Sequence, residues 1–279
     1  MGDPVTPKAS IRSDACGLLE LACTYDDSPS RGRLRLGDGW TRRWSGTWLV
    51  GEGHVTWPVR DMAGVPVLSS QPVRGFTWRA RQGHRPGLQY MVSTGRHHGF
   101  ESLEEQRLLV VLDFLRVAEV LPQPFTLDLE HVHGRARHTP DFLAVLPNGD
   151  RWLFDVRPQG LVKDADAVKF AAAREAAEAC GWAYTVVTGW RRHVWSVLDH
   201  LSSQRRPLTD RLGLEPQLQA AVRGGPRPFG EVVESTTLPV VARAHATHLL
   251  WHRRLGVDLG APLGDGSLLW PSGEPAEVR

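Results

Sequence analysis

The chain has 279 residues, 41% of them hydrophobic and 23% charged, a balance that excludes wholesale disorder and fibre-like repeats. The formal net charge is only +2, so any nucleic-acid surface must be a local patch. No run approaches the roughly 18 apolar residues of a membrane span, and no basic flank leads into an apolar stretch at the N-terminus. Neither a membrane helix nor a secretory signal is expected. Gly2 with Thr6 fits a myristoylation pattern formally, but two nearby prolines count against it. Cys16, Cys23 and Cys180 are an odd set without CxxC spacing. That argues against a disulfide framework and a structural zinc site, and fits a reducing cytoplasm. Of the 33 basic residues only Lys8, Lys163 and Lys169 are lysine.

Three segments follow in chain order. Residues 1–95 are rich in Gly, Arg and Trp (Trp40, Trp44, Trp48, Trp57, Trp78), and runs such as Thr47-Trp48-Leu49-Val50 read as strands between turns. The first thirty or so residues are expected to be poorly ordered. Residues 96–190 show the clearest periodicity. Leu108, Leu109, Leu112 and Leu115 form a helical stripe, and Ser102 followed by Glu105 is a capping-box pattern. A strand is expected over 124–129, then a hairpin whose arms are TPDFLAVL and DRWLFDVR. An Ala-rich helix runs from Asp164 to Cys180, with Gly181 as its cap, and a short strand from Tyr184 to Val187. The order helix, strand, hairpin, helix, strand predicts a mixed α/β core with helices against a central sheet. Residues 191–279 predict a basic helix near Arg191, Arg192 and Trp195, and a second helix over Pro239–Arg254. Two short strands around a Gly-Asp-Gly turn close a winged-helix-like pattern.

The hairpin carries the chemistry. Pro147-Asn148-Gly149 suits a three-residue loop with Gly in the left-handed position, pairing Leu146 with Asp150. Continuing that ladder sets Asp141 opposite Asp155, with Arg157 on the same face as Asp155. A two-residue turn would put the two carboxylates on opposite faces. Facing carboxylates among apolar neighbours need a cation or shared protons. Oxygen-only ligands suit Mg²⁺ or Mn²⁺. Glu105 lies on the buried stripe of the helix and is the third candidate, with Glu101 as a fallback and Glu104 facing solvent. Singly, each has an ordinary reading: Asp141 as a turn residue, Asp155 paired with Arg157 or Arg151, Glu105 as a cap.

Pro140-Asp141 followed by Asp155-Val156-Arg157 resembles the PD-(D/E)xK nuclease signature. More narrowly, the chain resembles TnsA-like endonuclease subunits of heteromeric transposases. The resemblance runs from Thr94 to Thr188 through Gly99-Phe100-Glu101-Ser102-Leu103-Glu104-Glu105, Gln123-Pro124-Phe125, His138-Thr139-Pro140-Asp141-Phe142 and Gly181-Trp182-Ala183-Tyr184. Ala242–Leu269 is similar more loosely to the family's C-terminal region. The resemblance implies a restriction-endonuclease-like α/β core and Mg²⁺-dependent hydrolysis of one DNA strand at transposon ends. Glu105, Asp141 and Asp155 would be metal ligands, with the Val156 carbonyl, and Arg157 would take the Lys position. It also implies a DDE-type transposase and an AAA+ ATPase as partners. Two departures matter. Asp155 is one methylene shorter than Glu, and Arg cannot give up a proton as Lys can, although it can stabilise phosphate charge. Lys163 or Lys169 could supply a relocated ammonium.

Other candidates are weaker. His131, His133 and His138 lack a helix to align them as metal ligands. His138 neighbours the acidic site and could touch a phosphate. Arg74, Arg79, Arg81, His84 and Arg85, with Arg191, Arg192, Arg205 and Arg206, are candidate phosphate contacts, and solvated surface is an equal reading for each. Two rival functions remain: an inactive nuclease-fold scaffold joining transposase and ATPase, and a stand-alone repair or defence nuclease.

Overall fold

The structure, a computed structural model, describes residues 10–75 and 86–273. Trp78, Arg79, Arg81, His84 and Arg85, like Gly2 and Thr6, lie outside the described residues. The chain divides into two compact units, residues 22–189 and residues 1–21 with 190–279.

Among the described residues of the first unit, the strands of three or more residues are β1 (Ala22–Thr24), β2 (Ser45–Val50), β3 (Gly53–Pro58), β4 (Gly87–Met91), β5 (Arg96–Phe100), β6 (Glu119–Pro122), β7 (Thr126–His131), β8 (Gly134–His138), β9 (Phe142–Val145), β10 (Arg151–Val156) and β11 (Ala183–Trp190). Its two long helices are α1 (Leu103–Phe114) and α2 (Asp164–Ala179). The main sheet has the order β1-β11-β10-β9-β6. β10 and β11 are parallel, joined by α2, while β9 is antiparallel to both β10 and β6. This is the mixed α/β sheet flanked by helices that the restriction-endonuclease-like expectation requires.

The hairpin register is the one the loop chemistry predicts. The Leu146 amide donates to the Asp150 carbonyl at 2.8 Å, Gly149 has φ 89°, and the ladder pairs Val145 with Arg151 through Phe142 with Phe154. Helix α1 starts where Ser102 accepts from the Glu105 amide, and its stripe Leu108, Leu109 and Leu112 is buried. Helix α2 buries Ala171, Ala172, Ala173, Ala176 and Ala177 in one core with Leu143, Leu153, Tyr184 and Val186. Small side chains let a helix lie close on a sheet at the density of a protein interior. Gly181, at φ 72°, ends α2 in the left-handed region as expected.

Two expectations need correction. The strand expected over 124–129 forms as β7 (Thr126–His131), but it lies in a second sheet of order β3-β2-β7-β8, and a strand that was not expected, β6 (Glu119–Pro122), takes the place in the main sheet. Gln123 at φ 45° and Pro124, which has no amide to give a ladder, break the chain between them. The segment before residue 30 is not featureless. Leu18–Leu21 is a helical turn, and Ala22–Thr24 is the edge strand of the main sheet.

In the second unit α3 (Val194–Ser202), α4 (Leu214–Ala221), α5 (Phe229–Glu234) and α6 (Pro239–Trp251) accompany β12 (Arg227–Pro228), β13 (Leu255–Gly256) and β14 (Leu268–Pro271). The three strands pair antiparallel in the order β12-β14-β13. The helix near Trp195, the helix from Pro239 and the closing strand pair are those read from the sequence, whereas α4, β12 and α5 were not read there. Gly256 is required here, because a Cβ would meet Trp270 Nε1 at 1.9 Å.

Candidate active site

Asp141 sits immediately before β9, tied to both neighbouring strands. Its amide donates to the Phe154 carbonyl at 2.9 Å, and its carbonyl accepts from the Gln123 amide at 2.7 Å. Its Oδ2 accepts from the Val156 amide at 2.7 Å. Burial pushes the Asp141 carboxyl well above the usual carboxylate range, and the charges of Glu105 and then Asp155 push the same way. The Val156 amide and the Arg74 guanidinium pull it back. Asp141 is thus the point where the fields of all three expected carboxylates meet.

Glu105 is 8% exposed on the sheet-facing stripe of α1, whereas Glu104 is less buried and pairs with Arg107. The Glu105 carboxylate accepts from the Glu101 amide at 2.8 Å and from the Ser102 hydroxyl at 2.8 Å. Burial raises its pKa against those two hydrogen bonds, the Glu101 charge adds to the rise, and Arg74 opposes it. Glu105 therefore caps α1, and its charge acts on Asp141.

Asp155, 2% exposed, makes contacts that the sequence reading missed. The Tyr184 hydroxyl donates to its Oδ2 at 2.7 Å, and His138 Nε2 lies 2.9 Å from the carboxylate. Parallel pairing of β10 with β11 sets Tyr184 beside Leu153, on the face that Asp155 shares. Burial pushes the Tyr184 hydroxyl well above its ordinary value, helped by the Asp155 charge, so it remains a donor at neutral pH. The Arg174 guanidinium lies 5.1 Å over the Tyr184 ring and grips Asp27 at 2.6 and 3.0 Å. A hydroxyl-bearing aromatic on the strand of Val186 and Val187, the second residue of β11, was the available signal.

Arg157 turns away from Asp155. Its Nε donates to the Leu161 carbonyl at 3.2 Å, and Nη2 is 3.6 Å from Asp166. Lys163 is exposed just before α2, and Lys169 is half-buried on it. His131 and His133 meet edge to face at 5.9 Å on the β7–β8 turn. Arg191, Arg192, Arg205 and Arg206 belong to the second unit.

Among the described residues, no group of three or more His, Cys, Asp or Glu side chains is placed to hold a metal ion. The structure brings Asp141 and Glu105 into one field and leaves Asp155 occupied by Tyr184 and His138. An Asp141–Glu105 pair fits the chemistry of Mg²⁺, which takes one or two carboxylates and completes its shell with water and phosphate oxygens. The three-carboxylate set, as its side chains stand, does not.

Residues 115–189 match the profile of a family described as TnsA-like endonuclease N terminal. The match spans Asp141, Asp155, Val156 and Arg157 and begins after Glu105. No curated protein matches the chain. No helix among the described residues is long and apolar enough to cross a membrane.

Proposed function

From the TnsA-like endonuclease segment at residues 115–189, we propose that this chain is a metal-dependent DNA endonuclease subunit of a heteromeric transposase, hydrolysing one strand at transposon ends. The supporting observation is the Asp141 carboxyl, buried, crowded by two other acids and held by the Val156 amide. Such a group calls for a cation. Asp141 and Glu105 would hold Mg²⁺ or Mn²⁺, with the Val156 carbonyl as a further oxygen. The ion would polarise a phosphate oxygen and acidify the attacking water. Asp155 adds negative field from its fixed position between Tyr184 and His138. The Arg157–Asp166 pair is long and partly exposed, hence weak, so a phosphate can draw the guanidinium away and have its charge stabilised. The partners on this reading are double-stranded DNA, a DDE-type transposase and an AAA+ ATPase, in the cytoplasm.

The engagement of Asp155 by Tyr184 and His138 favours a second reading, an inactive nuclease fold that joins transposase to ATPase. A metal-linked thermal shift separates the two. The nuclease reading expects Mg²⁺ or Mn²⁺ to raise the melting temperature of the wild type and not of Asp141→Asn. Identical, metal-independent melting of both proteins would favour the scaffold.

A further inference from the structure

We infer that Arg74 is a phosphate-binding cation of the Asp141–Glu105 site, in addition to Arg157, and that Gln123 positions it. The inference rests on the nuclease reading.

Residues 73 and 74 are fastened to Gln123. The Val73 amide donates to the Gln123 carbonyl at 3.0 Å, and Arg74 Nε donates to Gln123 Oε1 at 2.9 Å. Gln123 in turn gives its amide to the Asp141 carbonyl at 2.7 Å. One residue thus fixes both a guanidinium and the backbone of the central carboxylate. Gln123 carries two costs in doing so. It is a non-glycine residue at φ 45° and only 2% exposed, and its Nε2 is buried with no hydrogen-bond partner among the described residues. Costs of this kind gather where a fold holds a group in place for function.

The guanidinium is placed for an anion. Arg74 Nη2 reaches Glu101 Oε2 at 2.9 Å, with the two side chains 53% and 30% exposed. An ion pair so hydrated is weak, and a phosphate can displace it. Nε stays on Gln123, which leaves the edge carrying the two terminal nitrogens for bidentate phosphate contact. Glu101, which Arg74 holds, gives its amide to the Glu105 carboxylate, and Gln123, which holds Arg74, gives its amide to the Asp141 carbonyl, so the guanidinium is tied to both members of the acidic pair. Arg157, the cation of the sequence motif, is directed instead to Leu161 and Asp166.

The test compares wild type, Arg74→Ala, Arg74→Lys and Gln123→Met in two assays. The first is binding of a labelled random-sequence duplex in EDTA over a salt series. Arg74→Ala is expected to lower the slope of log affinity against log salt by about 0.9, the signature of one lost phosphate contact. Arg74→Lys should keep that slope. The second is single-turnover cleavage of transposon-end DNA with Mg²⁺. Arg74→Ala should slow it about 100-fold. Arg74→Lys should recover only part of the rate, because a point charge cannot hold Gln123 and a phosphate edge together. Gln123→Met should keep the charge, and hence the slope, while slowing cleavage. A wild type that binds and cuts, with Arg74→Ala matching it in slope and rate, overturns the inference and leaves the nuclease reading standing. A wild type that neither binds nor cuts removes the nuclease reading itself.

Discussion

The Val156 amide donates to Asp141 Oδ2 at 2.7 Å, so the end of β10 clasps the carboxylate that precedes β9. The clasp is a single hydrogen bond set against burial and two neighbouring acids, and the Asp141 pKa ends well above 3.8. A carboxyl whose folded pKa is raised binds a proton in the folded state that the unfolded state has released. Its contribution to stability is whole below the unfolded values of 3.8 for Asp141 and 4.5 for Glu105, and is lost as pH rises through the folded values. Asp141→Asn keeps an acceptor for Val156 and removes the charge. It should stabilise the metal-free protein at neutral pH by about 0.5–2 kcal/mol, the usual exchange of stability against function. Denaturant unfolding in EDTA from acid to neutral pH checks this, with the gap between the proteins widening as pH rises.

His98 predicts the opposite slope. It is 4% exposed and accepts or donates at 2.7 Å with Thr94 Oγ1. Burial, then the nearby Arg96 charge, lowers its pKa from 6.5 to about 4. Here the unfolded state binds the extra proton. Stability is present above 6.5 and is lost as pH falls through about 4. The loss is on the order of 3 kcal/mol across that window. A His98→Gln variant should lack this component, visible as a difference between the two stability profiles.

Tyr184→Phe removes the donor to Asp155 and leaves the ring under Arg174. Hydrogen bonds to charged groups contribute about 1.5–3 kcal/mol, and the variant should lose that much stability. With one fixed donor gone, cleavage should slow without a matching loss of DNA affinity. Thermal unfolding together with separate rate and binding measurements reads both effects.

The cysteines should differ sharply toward an alkylating reagent. Cys16 and Cys180 are buried, and burial pushes both thiols up to about 12, whereas Cys23 is exposed. The thiolate is the reactive form. Mass spectrometry of the native protein should show Cys23 modified first, and all three modified only after unfolding.

The hairpin register was legible because Pro147-Asn148-Gly149 suits a three-residue loop better than the two-residue turn that would have shifted it, and that loop sets every pair down to Phe142 with Phe154. Burial of Glu105 over Glu104 was legible from helical spacing alone. The second sheet was not, since pairing Ser45–Thr47 with Thr126–Asp128 joins residues some eighty positions apart and leaves no local pattern. Strand alternation put Asp155 and Arg157 on one face but could not set their rotamers. Tyr184 and His138 hold one, and Leu161 and Asp166 hold the other. Arg74 stood out only as one of several arginines. Its place at the acidic pair depends on the break at Gln123, which propensity does not reveal.

The most direct test of the proposed nuclease is strand-resolved cleavage of end-labelled transposon-end DNA by wild type and Asp141→Asn, in Mg²⁺, Mn²⁺ or EDTA, with and without the neighbouring transposition proteins. The account predicts metal-dependent nicking of one strand by the wild type and none by Asp141→Asn, with both proteins binding the DNA. Equal nicking by the two proteins, or no nicking in a complex that assembles normally, would contradict it.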